Sequence, residues 1–79
     1  MVKIQILGGG CAKCAKLYEH AEAAAKELGI EYQMEKVGDF AKIAEFGISA
    51  TPAMAVNGAI KIEGRVASAE FIKGLLKQA

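Results

Sequence analysis

The sequence predicts an α/β protein in which one four-stranded mixed sheet carries helices on both faces. A strand, a long amphipathic helix and a second strand follow one another within residues 2–37, and such a unit pairs its strands in parallel through a right-handed crossover. Further on, Asn57-Gly58 separates two short apolar runs, which is the strongest short signal of an antiparallel hairpin. The full order is β-α-β-α-β-β-α. We expect residues 1–79 to form a single domain, because 79 residues leave no room for two.

The first two elements follow from the spacing of their apolar residues and from the glycines that end them. Val2–Leu7 is rich in β-branched residues and predicts a strand, which Gly8-Gly9-Gly10 ends. Ala12–Leu28 repeats its apolar residues at three- and four-residue steps and predicts a helix, which Gly29 caps. The buried stripe of this helix is predicted to hold Cys14, Leu17, Tyr18, Ala21, Ala24, Ala25 and Leu28.

The second half predicts three more strands and two shorter helices. Residues 30–37 alternate in polarity and indicate a strand, and Asp39 is a suitable N-cap for a short helix that ends at Gly47. Ala53–Val56 and Ala59–Glu63 are the strands of the hairpin. A final helix begins after a capping serine, Ser68, and its apolar stripe holds Phe71, Ile72, Leu75 and Leu76.

Charge and hydropathy exclude several classes of partner. The formal net charge is +1, so the chain lacks the charge pattern typical of proteins that bind nucleic acid or anionic membranes. The longest apolar run falls far short of a membrane span, and residues 1–6 lack the layout of a signal peptide. We therefore expect a cytoplasmic protein with no nucleic-acid or membrane partner.

Cys11 and Cys14 are the only cysteines, and they form a Cys-x-x-Cys motif where the first strand passes into the long helix. One helical turn brings two sulfurs at this spacing within disulfide reach, so one thiolate can attack a substrate disulfide and the other can release the mixed disulfide. Cys11 should lie at the helix N-terminus, where the partial positive charge lowers the pKa of a thiol. Two thiolates would equally suit a soft metal ion such as Cu(I) or Zn²⁺.

Two nearby features have simpler interpretations. The glycine triplet of residues 8–10 could suggest a phosphate loop, but it lacks the Gly-x-x-x-x-Gly-Lys pattern, and we interpret it as room for a turn beside a reactive sulfur. His20 is six residues past Cys14 and should point away from the motif, as a solvated surface residue.

The combined pattern resembles the thioredoxin fold, and more narrowly the small thioredoxin- and glutaredoxin-like redox-active disulfide proteins of prokaryotes, over residues 2–77. Three features carry the resemblance: the order of elements, the Cys-x-x-Cys motif after the first strand, and Thr51-Pro52 just before the hairpin. The resemblance implies that Cys11 is the exposed nucleophile and Cys14 the buried resolving cysteine. It also implies that the Thr51–Pro52 bond is cis, opposite the disulfide, and that the backbone of Thr51 pairs with an extended substrate segment.

The residues around the motif depart from the family pattern. Gly10 stands where thioredoxin has tryptophan, and Ala12-Lys13 stand where it has Gly-Pro. Six residues before its first cysteine thioredoxin has a buried aspartate, whereas this chain has Gln5, which cannot titrate. Choice of partner and reduction potential depend on such flanking residues. The resemblance implies no cofactor and no metal beyond the redox-active disulfide, and a monomer that acts on protein disulfides and is restored by a reductase or small thiol.

Three classes of function are compatible with the motif. The first, which we expect, is a thiol–disulfide oxidoreductase. The second is a soft-metal carrier, because heavy-metal-associated domains also place Gly-x-x-Cys-x-x-Cys after a first strand. Those domains usually have methionine where this chain has Gly9, and their order is β-α-β-β-α-β. The third is a binding module that keeps the fold and the motif without turnover.

Overall fold

The backbone confirms the predicted order of strands and helices. A computed structural model describes residues 1–8, 12–48 and 50–77. The elements are β1 (Val2–Leu7), α1 (Ala12–Leu28), β2 (Tyr32–Val37), α2 (Phe40–Glu45), β3 (Ala53–Val56), β4 (Ala59–Glu63) and α3 (Ala69–Lys77). The observed start of β2 differs from the predicted one, because the strand begins two residues after the alternating pattern of residues 30–37 does. Ile30, in the connection before it, instead packs against the core.

The strands form a mixed sheet in the order β2-β1-β3-β4. β1 pairs with β2 in parallel, whereas the β1–β3 and β3–β4 pairs are antiparallel. Asn57 and Gly58 both have positive φ angles, 51° and 85°, as expected for a tight hairpin turn whose twist matches that of its strands. The predicted four-stranded mixed sheet is therefore confirmed.

Helices cover both faces of this sheet, also as predicted. Ile4 and Ile6 of β1 lie in a large apolar cluster with residues of α1 and α3. Leu7, at the end of β1, belongs to a smaller cluster on the other face, where Ile43 of α2 covers it. α2 therefore protects only the end of the sheet at which β1 leads towards the cysteine motif.

Local capping bonds fix where the shorter helices begin. The amide of Ala41 donates to the carboxylate of Asp39 at 2.9 Å, and the amide of Phe71 donates to the hydroxyl of Ser68 at 3.2 Å. Both predicted caps are confirmed. Phe71 is the exception in the predicted stripe of α3, because 44% of its surface is exposed while Ile72 is fully buried.

Ion pairs join the two helices on the larger face. The ammonium of Lys73 in α3 lies 3.2 Å from a carboxylate oxygen of Glu27 in α1 and 2.7 Å from one of Glu70. Hydrogen bonding to Lys73 lowers the pKa of Glu70, and hydrogen bonding to the two carboxylates raises the pKa of Lys73.

Among the described residues, no helix is long and apolar enough to cross a membrane.

Small residues on α1 set how closely this helix approaches the sheet. Ala24 is fully buried, whereas Ala23, its neighbour, is exposed. We expect Ala24→Leu to lower the free energy of unfolding by about 1–3 kcal/mol, because the added atoms have no space to occupy. The matched change Ala23→Leu should stay within about 0.5 kcal/mol of the wild type. Urea denaturation of both variants checks the difference, and equal stabilities would contradict the close packing of α1.

Candidate functional site

Cys14 is held in the first turn of α1 with its side chain towards the core. Only 6% of its surface is exposed, and it shares the buried stripe of α1 with Leu17 and Ala21. This placement agrees with the expected burial of the second cysteine. A protein substrate therefore has little direct access to the Cys14 sulfur.

The main chain at Gly8 covers this sulfur. A Cβ atom at Gly8 would overlap the Sγ of Cys14 and would lie 3.3 Å from its Cβ and 3.9 Å from the Cα of Pro52. The end of β1, the first turn of α1 and the segment before β3 therefore converge on one point. For Gly8, the structure confirms the interpretation of a glycine that leaves room beside a sulfur.

The segment before β3 contains the Thr51–Pro52 peptide bond, which is cis as the resemblance implies. Pro52 is fully buried, and its carbonyl oxygen accepts a hydrogen bond of 2.8 Å from the amide of Gly64. Thr51 is exposed. The resemblance implies that both residues lie at the substrate-binding side of the motif. The structure brings Pro52 next to Gly8 and hence to Cys14, whereas the contact of Thr51 with a substrate stays a prediction.

The remaining motif residues divide into two groups. Gly10 and Cys11 lie outside the described residues, so the predicted position of Cys11 at the helix end stays a prediction. Ala12 and Lys13 are exposed at the start of α1. No acidic residue occurs in the first turn of α1, so no carboxylate there offsets the positive end of the helix dipole.

Gln5 occupies the position at which the resemblance would place a buried aspartate, and it is only partly buried. Its side-chain amide donates a hydrogen bond of 2.8 Å to the carboxylate of Glu35, its partner in the parallel β1–β2 register. This bond, followed by the charges of Lys3 and Lys42, lowers the pKa of Glu35. The sequence alone did not predict this pair, because the contact depends on the register between β1 and β2.

His20 is not the solvated surface residue that its helical position suggested. Its ring is half-buried, and the Nδ1–H donates a hydrogen bond of 2.8 Å to the carbonyl oxygen of Ala67. The expectation was wrong because the loop before α3 packs against α1 at this point. His20 thereby ties α1 to residues 64–68, close in the chain to Val66.

Among the described residues, two surface hollows include residues assigned to the candidate site, and neither hollow was predicted. One, of about 280 Å³, is bordered by Thr51 and by apolar residues of α2 and the following loop, namely Phe40, Ile43, Ala44, Ile48 and Ala50. Phe40 is 72% exposed there. The other, of about 140 Å³, is lined by Ala12, Lys13, Lys16 and Val66, and we call it the basic hollow. The basic hollow joins segments far apart in sequence, so finding it requires the tertiary structure, whereas the larger hollow lies within residues 40–51.

Comparison with known proteins identifies the class to which this arrangement belongs. Residues 2–77 match the family model described as a thioredoxin domain. A thioredoxin of Methanothermobacter thermautotrophicus is 51% identical over 76 residues, which cover 96% of this chain and 99% of the relative. A thioredoxin of Methanocaldococcus jannaschii is 44% identical over 77 residues, covering 98% of this chain and 88% of the relative.

A solved structure gives the same fold. Thioredoxin-2, described as a component of the malaria parasite protein secretion machinery, superposes with a TM-score of 0.76 at 15% identity, covering 100% of this chain and 84% of that one. These findings define a thioredoxin-fold redox protein. The chain belongs to the thioredoxin domain family and is a thiol–disulfide oxidoreductase. Its order of elements, β-α-β-α-β-β-α, also differs from the β-α-β-β-α-β order expected of heavy-metal-associated domains.

The contact between Gly8 and Cys14 yields a stability prediction. We expect Gly8→Ala to lower the free energy of unfolding by about 1–3 kcal/mol, because the new methyl group must displace the sulfur or the start of α1. Gly74→Ala is the matched control, since a Cβ there meets no atom within 4 Å in a helix interior, and it should raise stability by about 0.5–1 kcal/mol. Denaturation curves for both variants measure the contrast, and a Gly8→Ala protein as stable as the wild type would refute the contact.

The bond between Gln5 and Glu35 yields a prediction about pH. Nuclear magnetic resonance titration should find the pKa of Glu35 below 4.5 in the folded protein, and Gln5→Leu should move it back up. Since the folded-state pKa is lowered, the bond contributes stability above the unfolded pKa and loses it as pH falls through the folded one. An unchanged titration in Gln5→Leu would show that the lysines, rather than Gln5, set this pKa.

Proposed function

We propose that the oxidoreductase activity is carried by Cys11 and Cys14 as a reversible dithiol–disulfide pair with no further cofactor or metal. The observation that carries this proposal is the burial of the Cys14 sulfur in the first turn of α1, under Gly8. A covered sulfur three residues after Cys11 suits attack on a neighbouring mixed disulfide much better than attack on an incoming protein. The two cysteines therefore take different roles.

The reaction proceeds in two exchange steps. The thiolate of Cys11 attacks one sulfur of the substrate disulfide, which forms a mixed disulfide and releases the other substrate sulfur as a thiolate that takes up a proton. Cys14 loses its proton and attacks the sulfur of Cys11, which forms the Cys11–Cys14 disulfide and releases the second substrate thiol. Two electrons pass to the substrate, and a reductase or small thiol returns the pair to the dithiol.

The start of α1 favours an ionised Cys11. Cys11 directly precedes Ala12, the first residue of a 17-residue helix whose first turn holds no acidic residue. The partial positive charge of a helix N-terminus stabilises an adjacent thiolate and lowers its pKa. Lys13, which is exposed, adds a cation inside the motif, although solvent weakens its effect.

Thr51 and Pro52 are proposed to receive the substrate chain. Pro52 lies close to Gly8, as Cys14 does, and Thr51 is exposed at the border of the larger hollow. The backbone of Thr51 could then pair with an extended substrate segment whose disulfide faces Cys11, in the manner of strand addition. We also propose that the protein acts as a monomer in the cytoplasm, where a single redox pair stays available for exchange.

Matched serine variants test the roles of the two cysteines. In insulin reduction with dithiothreitol, we expect Cys11→Ser to fall to the uncatalysed rate, because no mixed disulfide can form. Cys14→Ser should also lose turnover, but when the reduced variant is mixed with insulin in the absence of dithiothreitol, it should accumulate a covalent adduct between Cys11 and the substrate that mass spectrometry detects. Both variants should keep the fold, as judged by circular dichroism. Full activity of Cys11→Ser, or adducts on Cys14 instead, would overturn the assignment.

Alkylation of the reduced wild type tests the difference in access and ionisation. At mildly acidic pH, we expect iodoacetamide to modify Cys11 at least about tenfold faster than Cys14, because a covered sulfur reacts slowly and only a thiolate reacts well. Unfolding in urea is the control, since both sulfurs should then react at similar rates. Equal rates in the folded protein would contradict the roles assigned here.

A further inference from the structure

Positive charge collects around the basic hollow, and among the described residues no carboxylate forms an ion pair with its two lysines. Lys13 and Lys16 lie three residues apart, and hence on one side of α1, and both are exposed. In the described ranges 1–8, 12–48 and 50–77, the ion pairs of lysine lie elsewhere, at Lys26 and Lys73. The contrast with α3, which carries Glu70 in its first turn, shows that the start of α1 is unusually basic.

A third cation lies one residue along the chain from the lining of the hollow. Arg65 precedes Val66, whose side chain lines the hollow, and the guanidinium of Arg65 lies 4.7 Å from the centre of the Phe71 ring. Stacking on an aromatic ring restricts an arginine without neutralising it. Contact with α3 therefore fixes the position of the Arg65 guanidinium, whereas α1 fixes the positions of the two lysines.

The floor between these cations is apolar. The exposed surface of the hollow is almost entirely hydrocarbon, from Ala12, Val66 and the stems of the two lysines. Its volume of about 140 Å³ admits a single side chain rather than a cofactor. The hollow begins at Ala12, the residue after Cys11, so a chain bound there lies next to the redox motif.

We propose that the basic hollow selects protein disulfides flanked by acidic residues, seating one apolar side chain of the substrate while Lys13, Lys16 and Arg65 pair with its carboxylates. This inference rests on the proposed function, and it adds the class of substrate. Complementary charge explains why cations gather here although the whole chain carries only +1. Thr51 and the larger hollow would hold the other side of the substrate segment.

Two synthetic peptides with one internal disulfide each test this selection. They share an apolar residue beside the cysteine and differ only in flanking Glu or Gln. We expect kcat/KM for the Glu peptide to exceed that for the Gln peptide by about fivefold at low ionic strength, through KM and not kcat, and the ratio to shrink as salt is added. Rates with dithiothreitol alone correct for intrinsic differences between the peptides.

Charge reversal locates the effect. Lys16→Glu should abolish or invert the preference for the Glu peptide, and it leaves the cysteine motif itself unaltered. Lys61→Glu makes the same change on an exposed lysine of β4, outside the hollow, and should keep the preference. Wild-type protein that reduces both peptides equally, or equal loss of preference in both variants, would overturn the inference while leaving the proposed function intact. If neither peptide is reduced, the proposed function fails, and the inference fails with it.

Discussion

The main chain of Gly8 passes so close to the Cys14 sulfur that a side chain at that position would overlap it. This contact lets the first turn of α1 sit directly against the end of β1. Pro52, which lies far along the chain, also approaches Gly8, so the end of β1, the first turn of α1 and the segment before β3 share one small volume. The large apolar cluster beneath α1, with Leu17, Ala21 and the isoleucines of β1, holds them there.

The asymmetry of the proposed reaction is a consequence of this packing. Cys14 is shielded by the backbone on one side and by the core on the other, whereas Ala12 and Lys13, which lie between the two cysteines, face solvent. The first residues of α1, Ala12 and Lys13, are therefore exposed, whereas the sulfur of Cys14 in the same turn is covered. Since the two residues are chemically identical, burial of Cys14 and the charge at the start of α1 would separate the two proposed roles. The neighbouring hollows would then influence which substrates approach and in which orientation.

Local signals in the sequence account for most of the fold. The glycines that end β1 and α1, the caps at Asp39 and Ser68 and the Asn57-Gly58 turn each act within a few residues, and all appear where they were predicted. Features that depend on the meeting of distant segments were missed or misjudged. The Gln5–Glu35 bond needs the β1–β2 register, and the His20–Ala67 bond needs the loop before α3 to lie on α1.

The features of the candidate site likewise divide into those that the sequence predicted and those that depend on the folded chain. The pattern of cysteines predicted a buried Cys14, because helical spacing places it on the stripe that faces the core. The sequence predicted that the glycines leave room beside a sulfur, but it did not predict that residue 8 contacts the Sγ atom of Cys14. The basic hollow could not be foreseen, because Val66 joins Lys13 and Lys16 only when the chain is folded.

The most direct test is a redox titration of the full chain. The protein is equilibrated in thiol–disulfide buffers of stepped composition, with dithiothreitol at the reducing end and glutathione at the oxidising end, quenched with acid, alkylated, and weighed by mass spectrometry. We predict one reversible transition from molecules with two modified cysteines to monomeric molecules with none, at a midpoint between about −270 and −120 mV. Molecules that keep two modified cysteines in every buffer, or that oxidise only by joining to a second chain, would contradict a redox pair formed by Cys11 and Cys14.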